Sequence, residues 1–85
     1  MTRPVKNRLG HDLVIIEWVD SCSPFRKWHV ADECKHYSIS TCYSVGWLAR
    51  KDKDSVVIYA SIAEEEIGDM TAIPTKAVKS IRRLK

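Results

Sequence analysis

Between positions 22 and 42 the chain gathers Cys22, His29, Cys34, His36 and Cys42, the thiol and imidazole groups that zinc prefers. No two of the cysteines stand at the Cys-x-x-Cys spacing of ribbons and fingers, and Cys42 alternates with Thr41 and Tyr43 as a small apolar side chain would on a strand. The reading is therefore no metal and no cofactor. Covalent catalysis needs a nucleophile, a base within hydrogen-bond reach and a group that orients the base. Cys34 and His36 are two positions apart, so on a helix they point to different sides. Neither a Gly-x-Ser-x-Gly elbow, a His-Glu-x-x-His pair nor a phosphate-binding Walker loop occurs. Glu64, Glu65 and Glu66 sit beside Gly68 and read as a solvated acidic loop. The chain is expected to bind rather than to catalyse.

The aromatic residues carry more information. Trp28 stands among Phe25, Arg26, Lys27 and His29, where an indole could stack on a base while its neighbours neutralise phosphate. Anchoring of that loop onto the body of the protein is the competing role. Trp18 and Trp47 fall inside apolar segments and suit core packing, with Trp47 kept as a second ligand candidate. Arg82 and Arg83 near the C-terminus complete the candidate set, with Lys79 and Lys85 beside them. On a strand, Lys79, Ile81 and Arg83 share one side, while Ser80, Arg82 and Leu84 share the other. These bases could hold an anion or could guard an exposed strand edge.

Charge is unevenly spread. Of 14 Lys and Arg residues, three lie in residues 1–8 and five in residues 76–85, and neither stretch holds an acid. The other six face all 11 Asp and Glu residues, so positions 9–75 sum to −5 within a net +3. Basic ends on an acidic body steer anions. They do not form the broad basic stripe that backbone binding to nucleic acid requires. Three cysteines leave at least one thiol unpaired in a monomer, which fits a reducing compartment. The basic N-terminus lacks an apolar signal core, and no apolar run approaches the ~20 residues that span a bilayer. A cytoplasmic protein with no membrane contact is expected.

The elements that must hold these residues are mostly strands. Residues 1–10 read as a flexible basic arm and 11–85 as one small domain. DLVIIEWVD (12–20) is rich in β-branched residues and too short for an ordinary helix. Val14, Ile16 and Trp18 share one of its faces, and Leu13, Ile15, Glu17 and Val19 the other. SCSPFRKW (21–28) is a turn, and one or two helical turns are expected over 30–36. Residues 40–51 alternate, with Thr41, Tyr43, Val45 and Trp47 together. KDKD (51–54) then turns the chain into SVVIYASIA (55–63), where Val56, Ile58, Ala60 and Ile62 align. Gly46 marks a bulge or bend. A polar loop over 64–69, a short strand over 70–74 stopped by Pro74, one tight turn and a last strand over 79–85 complete the order.

Five short strands with one short helix, in 85 residues, bury their apolar faces most simply by curling into a partly open barrel. The hairpin GWLARKDKDSVVIYAS and the ending IPTKAVKSIRRL resemble the Src-homology-type and Sm-like small barrels in this order. The phrases IIEWVDS, SVGWL and IGDMTAIPTKAVKSIRRL resemble, more narrowly, small proteins encoded by bacteriophages and prophages, a group with no settled activity. That resemblance implies a setting of host takeover or defence evasion. Together these readings lead to a non-enzymatic homo-oligomer that captures a small anionic or nucleotide-like ligand. Nucleic-acid binding on the barrel face, or docking on a host protein, is the alternative.

Overall fold

The structure is a computed structural model and describes residues 3–20, 31 and 39–85. The expected helix over 30–36 therefore lies outside the described residues, apart from position 31.

Five antiparallel strands form one sheet: β1 (Leu13–Asp20), β2 (Ser40–Lys51), β3 (Ser55–Ile62), β4 (Ile67–Pro74) and β5 (Val78–Arg83). Their order across the sheet is β4-β3-β2-β1-β5. The sheet is not closed, and within residues 39–85 the helical content is a 3-10 turn over Thr75–Ala77, ahead of β5. The chain is mainly β, with an open five-stranded sheet, as its alternating apolar pattern dictates.

Strand β2 belongs to both halves. Its residues 40–47 pair with β1, from Asp20↔Ser40 to Leu13↔Trp47. From Trp47 onward it pairs with β3, and the register slips between Leu48 and Arg50. Gly46 sits at the changeover for a steric reason. A Cβ there would lie 2.9 Å from the Tyr59 carbonyl oxygen and 3.2 Å from Ile58 Cβ. Glycine lets the β3 backbone come this close while the sheet bends.

Curling gathers one face of each strand. Val14 and Ile16 of β1, Val56 and Ile58 of β3 and Ile73 of β4 form the buried cluster. Trp18, Leu48, Ala77, Val78 and Ile81 pack around it, so all five strands contribute. Each fully buried aliphatic side chain contributes about 1.5–3 kcal/mol relative to exposure. Trp18 keeps its indole N–H satisfied by donating to Ser44 Oγ at 2.9 Å.

The turn between β2 and β3 is built by Asp52. Its Oδ1 accepts from the backbone N–H of Asp54 and of Ser55, each at 2.9 Å. Its carbonyl accepts from Thr75 Oγ1 at 2.7 Å, tying the hairpin to the 3-10 turn.

Strand β4 begins earlier than the expected position 70. Ile62 pairs with Ile67 and Ser61 with Gly68, so the acidic loop shrinks to 63–66. A backbone bond from Ala63 N–H to the Glu66 carbonyl at 2.7 Å closes that tight loop and lets pairing resume at once. Strand β5 likewise runs from Val78 rather than 79, because Val78 pairs with Trp18 across a register shift.

Residues 3–10, read as an arm, make backbone hydrogen bonds. Val5 N–H donates to Leu84 and its carbonyl accepts from Leu13, at 3.0 and 2.9 Å. Lys6 and Asp12 form an isolated bridge.

Candidate functional site

The last turns of β2 and β5 and the start of β1 meet at one end of the open sheet. Their core-facing side chains Val14, Leu48 and Ile81 floor a cleft of about 490 Å³ that also touches Pro4. Lys51, Arg82, Arg83 and Lys85 rim it. Four bases thus ring an apolar floor. The sequence explains the arrangement: the alternation of β5 sends Ile81 inward between bases, and Lys51 ends β2 just before its turn.

One carboxylate organises the rim. Asp12, immediately before β1, receives Lys6 Nζ on Oδ1 and Arg83 Nε on Oδ2, both at 2.6 Å. The hydrogen bonds from Lys6 first and Arg83 second hold the Asp12 carboxyl below the ordinary carboxylate range. Because Asp12 takes Arg83 through Nε, the two terminal guanidinium nitrogens are left for another acceptor. Among the described residues, Lys51, Arg82 and Lys85 have no ion pair. Arginine offers a planar fork that matches two phosphate oxygens, and lysine supplies a compact charge. An apolar floor adds area for a ring. The arrangement suits an anion that carries an apolar or aromatic body.

No family model, curated protein or solved structure matches the chain.

The candidates named from sequence fall in three places. Arg82 and Arg83 are brought together with Lys51 and Lys85 at the cleft. Trp47 is separate: it is half-buried and pairs with Leu13 and Tyr59 where β2 changes partners. Arg26, Lys27, Trp28 and His29 lie outside the described residues, as do Cys22, Cys34 and His36. Cys42 is described and half-buried, with its thiol 3.9 Å from the Ser40 carbonyl.

Sequence reasoning passed over Lys51, read only as part of a turn, and Asp12, read as the start of a strand. The available signal was the base-rich C-terminal stretch facing a hairpin that also ends in lysine. It also passed over Tyr59, which is fully buried although it lies outside the main cluster. Its hydroxyl accepts from Asn7 Nδ2 at 2.8 Å and lies 2.6 Å from His11 Nδ1. The His11 ring meets the Tyr59 ring edge-on, with centroids 5.6 Å apart. The N-terminal segment is thereby fastened over β3. Arg8 extends the fastening by donating to the carbonyls of Ala63 and Glu64.

Proposed function

We propose that this protein captures a small anionic, nucleotide-like ligand in the cleft rimmed by Lys51, Arg82, Arg83 and Lys85, working as a homo-oligomer and without catalysis. The observation that carries the reading is the cleft itself, with four bases around an apolar floor of Val14, Leu48 and Ile81. Arg83, oriented by Asp12, binds phosphate oxygens, Lys51, Lys85 and the rim base Arg82 add charge, and the floor receives the base or sugar. In the bacteriophage setting that the sequence resemblance implies, capture would sequester a nucleotide signal of host immunity in the cytoplasm. Among the described residues no helix is long and apolar enough to cross a membrane.

Isothermal calorimetry against cyclic and linear nucleotides tests the proposal. Saturable one-to-one binding per chain is expected for at least one of them. Silence across the panel overturns it. So does binding only to oligonucleotides with steep loss of affinity in salt, which is the behaviour of a nucleic-acid binder.

A further inference from the structure

The strand faces turned away from the core hold a second feature. Along β1, Ile15 and Glu17 point outward with their cross-strand neighbours. Ile15 lies beside Val45 of β2 and Arg82 of β5, and Glu17 beside Tyr43 and Ser80. Tyr43 is 66% exposed and Val45 54% exposed. A shallow hollow of about 200 Å³ runs between Ile15, Glu17, Tyr43, Ser80 and Arg82. Large apolar side chains left open on adjoining positions mark contact surfaces more often than scattered ones do.

Charge decides what fits there. Arg82 has no ion pair among the described residues. Among the described residues, Glu17 pairs with the half-exposed Lys79 at 3.5 Å, a contact worth little in water. A polyanion would meet the Glu17 carboxylate in the middle of the face. A surface on which the Glu17 carboxylate and the Arg82 guanidinium lie in adjoining rows beside the apolar Ile15, Tyr43 and Val45 is instead complementary to itself under a two-fold rotation. The sheet edges are poorer sites for self-association. β4 holds Asp69 at a positive φ of 59° and ends at Pro74, while β5 carries Lys79, Arg82 and Arg83.

We infer that a second copy of this chain docks face to face on β1, β2 and β5, about a two-fold axis passing between Glu17 and Arg82. Each Glu17 then meets the partner's Arg82, and Tyr43 and Val45 of both copies cover one another. Three strands about 4.8 Å apart and about six residues long give a face below the ~800 Å² per partner of a standard interface. The dimer is therefore concentration-dependent. This gives the assembly part of the proposed function its surface; Arg82 also rims the cleft, so Glu17→Arg and Tyr43→Glu, which touch no cleft residue, read docking alone, and Lys51→Glu reads capture alone.

Sedimentation equilibrium from about 1 μM to about 1 mM reads the association directly. A rise from 9.8 kDa towards twice that mass is expected. Glu17→Arg and Arg82→Glu each weaken it by about tenfold or more, and the double variant Glu17→Arg/Arg82→Glu recovers it. Tyr43→Glu holds the protein monomeric, with circular dichroism unchanged because the side chain is outside the core. A wild type that stays monomeric throughout overturns the inference. So does association indifferent to Tyr43→Glu, or a double variant no better than the singles.

Discussion

Tyr59 is the residue on which the N-terminal segment depends. Its ring is buried, and its hydroxyl gathers Asn7 and His11 from 52 and 48 positions away. Phenylalanine would keep the ring and remove the partner of two part-buried groups, a loss of about 1–2 kcal/mol. Tyr59→Phe is expected to lower the melting temperature by about 4–8 °C per kcal/mol and to speed tryptic cleavage at Arg8. An unchanged melt with unchanged cleavage would mean that the segment is held by its backbone bonds alone. Little of this was legible beforehand. A tyrosine inside SVVIYASIA reads as one more strand residue, and its partners lie far away along the chain. Arg82 and Arg83, by contrast, stood out as bases on a short alternating strand. What brings them to Lys51 is the curl of the sheet, which composition does not encode.

At the scale of elements, β2 carries the fold. It pairs with β1 along its first part and with β3 along its last, and Gly46 sits where it changes partner. Alternation placed the β2–β3 hairpin within a residue or so, because each strand keeps one face in the core. Gly46 within that alternation signalled a bend. The sequence alone could not say which β2 face looks outward, since Tyr43, Val45 and Trp47 look as apolar as a core row. The Leu13↔Trp47 register resolves this by setting that row beside Ile15 and Glu17 rather than Val14 and Ile16. Gly46→Ala forces a Cβ to 2.9 Å from the Tyr59 carbonyl, with backbone as the obstacle. A loss of about 1–3 kcal/mol is expected by chemical denaturation, read as a lower midpoint at constant slope. A midpoint equal to that of the wild type would show that β3 moves aside freely. The start of β4 was harder to place, because three glutamates and a glycine suppress any strand pattern until the tight 63–66 turn is known.

At the scale of the molecule, two aspartates among the described residues link stability to pH. Asp12 is held down by Lys6 and Arg83, and Asp52 by the backbone N–H groups of Ser55 and Asp54. Both carboxyls bind protons less readily folded than unfolded. Their contribution is therefore fully present above the ordinary carboxylate range near pH 4 and is lost as pH falls through the lowered folded values. Melting temperature should hold from neutrality to about pH 5 and decline below it, less steeply in Asp52→Asn. A melt independent of pH between about 5 and 2 would contradict this assignment. The same net charge that looked mild in composition is arranged as a basic rim over one cleft, with Asp12 locking Arg83 in place. Capture of an anion there is the central claim. Its most direct test is calorimetric titration of wild type and Lys51→Glu with the tightest-binding nucleotide, alongside the nucleoside that lacks its phosphate. Affinity should fall by about tenfold or more on losing either Lys51 or the phosphate, with the melting temperature of the variant unchanged. Equal affinity in wild type and Lys51→Glu, or for nucleotide and nucleoside, would contradict it.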